Sequence, residues 1–326
     1  MEALAVRAAK TGDRAYLERA FSTGKANPAT ADSQGNTLLH LAVECQKNEI
    51  ACIQLLLANG CSPSARNQLG ATPLHYVALR RDNFTAIAEL LLAAGANLDD
   101  ATFAGHKPLH LACEKHRPEF VAFLLGKGAQ VNALDMEQNT PLHMCIAEPG
   151  RDHVVKEIVE QLLRARAAIT AKNREGNDAL LLSAMKGYLK LGQFLIEHRA
   201  DIRTRNSTGN TVLHEAAKHG HAELMEVLLT VPQLNINAVN GEEETALHLA
   251  CRYNHADVAM LLLRRKAASN IPNREGQTPF DLVDNASKDI FDAKSQELDR
   301  LANSNCHVVA KMQGRDDDSD GSCLLM

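Results

Sequence analysis

The sequence predicts an all-α solenoid in which short helices come in pairs, joined by β-hairpin loops and stacked in one direction. Three observations carry this expectation. A Thr-Pro-Leu-His-like motif recurs with a period near 33 residues. Each copy is followed by a Leu-Leu segment and then by a glycine or polar turn, so one period holds two apolar helices and their breaks. The apolar fraction is 45%, yet Trp is absent and aromatic residues make up 4%, a composition suited to thin aliphatic layers rather than one large core. A chain of 326 residues would ordinarily hold about two domains. Repetition removes that prior, because each module touches only its neighbours.

The motif runs through the chain in register. Residues 70–78 read GATPLHYVA, 105–112 GHKPLHLA, 138–145 QNTPLHMC, 209–217 GNTVLHEAA and 243–250 EETALHLA; weaker copies lie at 35–42, 176–184 and 276–283. Its threonine position is occupied by Thr37, Thr72, Lys107, Thr140, Asp178, Thr211, Thr245 and Thr278, with gaps of 35, 35, 33, 38, 33, 34 and 33. Threonine can cap a helix and proline tolerates its first turn, where the missing N–H had no partner. Leu and Ala then line a short first helix, which Gly187 or Gly220 breaks. A second helix carries the Leu-Leu pair, and Gly60, Gly95 and Gly128 suit the positive φ of its end. One such unit cannot bury its apolar face alone, so units stack.

Taken together, these motifs resemble the ankyrin repeat over about residues 1–302. The expected organisation is an N-terminal capping repeat at 1–31, seven repeats at 32–272, a C-terminal capping repeat at 273–302, and an acidic, disordered tail at 303–326. The 38-residue gap marks an insertion near Glu148-Pro149-Gly150-Arg151-Asp152, expected to lengthen the turn between two helices.

Fourteen histidines invite a metal or acid–base reading. Six of them (His40, His75, His110, His143, His214 and His248) occupy one repeat position, about a repeat apart and too far to share an ion. The resemblance implies that their rings link neighbouring units through backbone hydrogen bonds. Residues 214–219, His-Glu-Ala-Ala-Lys-His, miss a zinc-protease motif because the second histidine falls one place late. No nucleophile elbow, phosphate-cradling glycine loop or dinucleotide fingerprint is present. The eight cysteines lack metal-type pair spacing and lie mostly among Leu and Ala, as buried thiols of a reducing cytosol would. No enzyme, metal or cofactor is expected.

The resemblance implies binding through loop tips and the exposed ends of first helices, which line a concave groove. By register those ends include Glu44-Cys45, Leu79-Arg80, Glu114-Lys115, Met185-Lys186, Lys218-His219 and Arg252-Tyr253. Arg80, Lys115, Lys186, Lys218 and Arg252 form a candidate basic stripe for an acidic or extended peptide of a partner protein, with Tyr253 as an aromatic anchor. The resemblance also makes Asn132 and Asn237 candidate hydroxylation sites, each with Leu eight residues before and Val or Ile just before. A net charge of -5 gives no general drive toward nucleic acid, and a monomer is expected.

Residues 1–25 lack a secretory apolar core, and no stretch approaches a membrane span. The sequence closes on Cys323-Leu324-Leu325-Met326, which matches a C-a-a-X prenylation box with farnesyl favoured. Its usual polybasic helper is missing; Asp316, Asp317, Asp318 and Asp320 precede it. Cys306 offers a second acylation position. The expected function is a non-catalytic, cytoplasmic scaffold or adaptor tethered to a cytosolic membrane face. The alternative is a soluble inhibitor or assembly chaperone that masks a partner, with Cys323 unmodified.

Overall fold

The computed structural model describes residues 2–45, 47–80 and 82–284. Two compact units divide the chain, residues 1–207 and 208–326. The N-terminal unit holds six helix pairs: α1 (Glu2–Thr11) and α2 (Arg14–Ser22), α3 (Leu38–Glu44) and α4 (Glu49–Ala58), α5 (Pro73–Val77) and α6 (Phe84–Ala93), α7 (Pro108–Glu114) and α8 (Pro118–Gly126), α9 (Pro141–Ala147) and α10 (Asp152–Arg164), α11 (Ala179–Lys186) and α12 (Leu189–Glu197). The described part of the C-terminal unit holds α13 (Val212–Lys218) with α14 (Ala222–Leu228), α15 (Ala246–Arg252) with α16 (Ala256–Arg264), and a 3-10 turn at Pro279–Leu282. No helix among the described residues is long and apolar enough to cross a membrane.

From α3 on, the first helices are five to eight residues long, too short to persist in water alone. They persist because they are enclosed. First helices pack on first helices (α1 on α3, α3 on α5, α5 on α7, α7 on α9, α9 on α11), while the second helices form a parallel layer from α2 to α12. In the C-terminal unit α13 packs on α15 and α14 on α16. Leu38 through Val43 are all buried in α3, and Val212 through Ala217 in α13. Second helices bury one face: in α10, Val155, Ile158, Val159 and Leu162 follow the i, i+3, i+4, i+7 spacing of an amphipathic helix.

The loops between pairs do not show the expected β-hairpins as paired strands. Among the described residues they form no strand, and the isolated bridge joins Ala31 to Thr37. No ladder of paired strands forms in these loops among the described residues. They close instead through an Asx turn: the Asn67 side-chain oxygen accepts from the Leu69 and Ala71 N–H groups at 2.9 Å each, and Asp135, Asn173, Asn240 and Asn273 repeat the pattern. Further backbone donors close each loop on itself, and one reaches the neighbouring loop. Gln68 N–H donates to Gln34 at 3.1 Å, Phe103 to Leu69 at 3.0 Å, Met136 to Ala104 at 3.0 Å and Arg174 to Glu137 at 2.9 Å; in the C-terminal unit Arg274 donates to Glu242 at 3.1 Å.

The insertion also behaves differently from expectation. Most of it adds a turn to α10, which has 13 residues where the other second helices have seven to ten. That turn is a brace. The Asp152 carboxylate accepts from the Lys190 N–H at 2.8 Å and the Leu191 N–H at 3.1 Å, capping α12 from the preceding pair. The Tyr188 hydroxyl accepts from Gly150 N–H at 2.8 Å and donates to the Glu148 carbonyl at 3.0 Å. At the N-terminal end, α1 turns Leu4, Arg7 and Lys10 outward and buries Ala5, Ala8 and Ala9. Most of the segment 273–302, and the tail 303–326 with Cys306 and Cys323, lie outside the described residues.

Candidate interaction surface

The histidines of the repeated motif are consumed by structure. In each of the six, Nδ1 accepts the backbone N–H of the residue three before it, at 3.0–3.2 Å. That acceptance places the ring proton on Nε2. Nε2–H then donates to a carbonyl of the next loop: His40 to Ala71 at 2.9 Å, His75 to His106 at 3.0 Å, His110 to Ala133 at 3.1 Å, His143 to Asn177 at 3.1 Å, His214 to Glu244 at 2.9 Å and His248 to Gln277 at 3.2 Å. Both nitrogens are occupied, which leaves no lone pair for a metal. Burial holds the rings neutral: the pKa values of His75 and His110 fall to about 4, and those of His40, His143 and His248 are lowered in the same sense. In the sixth pair Asp178 and Leu181 replace Thr and His, and Asp178 caps α11 directly by accepting from Leu181 N–H at 2.9 Å.

The six described cysteines are buried. Burial pushes the Cys52 and Cys61 thiols up to about 11 and Cys251 up to about 12, and raises Cys113 and Cys145 as well. Thiols so disposed are poor nucleophiles.

The proposed cation positions divide into two kinds. Arg80 corrects the expectation: it is 7% exposed. Its guanidinium donates to the Val43 carbonyl at 2.6 Å and to the Cys45 carbonyl, and it pairs with Asp82 at 3.0 Å and Glu49 at 3.5 Å. The reason is local. The end of α3 leaves carbonyls without helical partners, and the arginine of the next pair satisfies them. Cys45 is likewise buried beside it, not exposed. Lys115 is exposed but paired with Glu114, and Lys186 is exposed on α11. In the C-terminal unit Lys218 is half-buried, Arg252 is exposed and paired with Glu244, and Tyr253 is 46% exposed. Asn132 and Asn237 each stitch two pairs together: the Asn132 side chain donates to Arg166 O at 3.1 Å and accepts from Ala168 N–H at 2.8 Å, and Asn237 accepts from Ala268 N–H at 2.8 Å.

A surface that the motif register did not single out lies on the loop tips of the N-terminal unit. Leu69 is 71% exposed, Met136 63%, Phe103 61% and Leu134 57%. The Phe103, Leu69 and Met136 loops are neighbours through the backbone bonds described above. Gly70, at φ +75°, lies under the Phe103 ring, and a Cβ there would come within 3.0 Å of it. The readable signal was an apolar residue between the Asx and glycine positions, where other repeats carry Ser33, Arg174 or Glu242. Leu79, at the end of the α5 region, adds a further exposed apolar side chain.

Two family models match the chain. One, described as ankyrin repeats in three copies, matches residues 4–102, 39–135, 78–160 and 142–240; the other, ankyrin repeats in many copies, matches 230–283. A search of curated proteins returned no match. Overlapping matches from residue 4 to 283, over a structure of repeated helix pairs braced by one histidine position, fix the assignment: the chain belongs to the ankyrin-repeat family.

Proposed function

We propose that this chain is a non-catalytic scaffold or adaptor that captures a partner protein on its exposed loop tips and first-helix ends, in keeping with the protein–protein interaction that ankyrin repeats generally mediate. One observation carries the reading. Leu69, Phe103, Leu134 and Met136 place four large apolar side chains in water on adjoining loops, where neither loop closure nor helix packing requires them. Exposed apolar groups gathered in one place mark interaction sites. On the same unit Lys186 supplies an exposed cation for acidic groups of the partner and Lys115 one shared with Glu114; in the C-terminal unit Lys218 and Tyr253 supply the corresponding positions, while Arg252 is held by Glu244.

The tether is the second half of the proposal. The Cys323-Leu324-Leu325-Met326 box supports farnesylation, and one lipid chain gives reversible membrane residence. The test combines two variants. Affinity capture with Leu69→Ser, Phe103→Ser and Met136→Ser together loses the partner while the melting curve stays in place. Retention of the partner contradicts the tip surface. Fractionation of Cys323→Ser moves the chain from the membrane to the soluble fraction. A native C-terminal peptide whose mass shows unmodified Cys323 removes the tether and leaves the soluble inhibitor or assembly chaperone.

A further inference from the structure

The C-terminal unit contains a cavity of about 340 Å³ beside the end of α15, at the small end of the range for ligand pockets. Leu249, buried, and Tyr253, half-exposed, supply its apolar wall. Glu242, Glu244, Arg252, Arg274 and Glu275 supply its charge. The two cations are already engaged. Arg252 pairs with the buried Glu244 carboxylate, and Arg274 pairs with Glu242 at 3.3 Å while donating to Gly241 O at 2.6 Å. Among the described residues the Glu275 carboxylate and the Tyr253 hydroxyl have no partner; only the Glu275 backbone N–H is engaged, by Asn273. The cavity is therefore lined by one carboxylate without an ion pair, Glu275, and by a half-exposed tyrosine.

We propose that this cavity is a subsite for an arginine side chain of the partner protein. A planar guanidinium can lie against the Tyr253 ring and donate a forked pair of hydrogen bonds to Glu275, with its methylene stem on Leu249. An ammonium cannot form the fork, and a carboxylate would face Glu242 and Glu275. The sign is the reverse of the acidic partner that Arg252 alone implies, because Glu244 neutralises that cation. The inference rests on the reading of the chain as a protein-binding module but uses residues other than the apolar tips, so the two fail separately.

The experiment titrates full-length ¹⁵N-labelled protein with acetyl-Gly-Arg-Gly-amide and follows backbone amide shifts. The expected result is a saturable shift centred on Tyr253 and Glu275. The Lys analogue weakens binding about tenfold, the scale of one lost charged fork. Glu275→Gln and Tyr253→Leu each remove saturation while the rest of the amide spectrum is unchanged, which shows that the fold is kept. Three results overturn the proposal: no saturable shift, equal binding of the Lys or Glu analogue, or wild-type binding by Glu275→Gln. Loss of partner capture in the tip variant, with arginine binding intact, would leave the subsite standing.

Discussion

The loop that begins at Thr102 shows a phenylalanine to solvent; the loop that begins at Asn240 shows Glu242 and Glu243. Both loops close by the same rules and both anchor a histidine of the preceding pair, through His106 O in one case and Glu244 O in the other. The N-terminal unit carries Leu69, Phe103 and Met136 at its tips. Toward its end it turns basic, with nine Lys or Arg against four Asp or Glu over residues 164–207. The C-terminal unit has six against ten over residues 208–284, and its tips carry Glu242, Arg274 and Glu275. Constraint stops short of the tips. Thr102 or Asn240 and the left-handed Gly105 or Glu243 hold the loop, and the histidine holds the next loop, so the tip side chains are free to differ. Difference at the tips is therefore where the proposed partner recognition would be written.

Acid provides the largest expected effect and tests what the units share. A histidine whose pKa is lowered on folding binds its proton better in the unfolded chain, so its stability is full above about pH 6.5 and lost as pH falls toward 4. For His75 and His110, at about 4 when folded, the loss is about 3 kcal/mol each between those limits. Urea melts at pH 7.0 and 4.5 should show it; a flat profile would mean the rings are not held neutral.

Arg80 and Lys186 separate framework from surface within one unit. Arg80→Ala leaves the α3 carbonyls and Glu49 without their cation and should cost about 3 kcal/mol. Lys186→Ala should change stability by less than about 0.5 kcal/mol. Equal effects in thermal melts would refute the division. A smaller effect belongs to the α10 brace: Asp152→Ala should cost about 1 kcal/mol by uncapping α12, with faster amide exchange at Lys190 and Leu191. If exchange there is unchanged, the extra turn is not a cap.

Much of the framework was legible in the sequence, for a physical reason. Period, caps and breakers are local signals, and the Thr–His spacing encodes a contact that closes three residues away. The role of Arg80 was not legible. Its partners, Val43 O and Cys45 O, lie in the preceding repeat, and by motif register alone an arginine one turn past the helix looks exposed. The α10 brace was hidden for the same reason, since residue count locates an insertion without saying whether it joins a turn or a helix. The tips were visible in letters but not in meaning. An apolar residue in a loop becomes informative only when Leu69, Phe103 and Met136 are seen to lie on bonded neighbours.

Amide exchange of the full-length chain, alone and with its affinity-captured partner, tests the tip surface most directly. Binding at the tips gives protection at residues 67–70, 102–105 and 134–138, with helices α7 and α9 unchanged. Protection confined to the second-helix layer, with those loops exchanging as in the free chain, would contradict it.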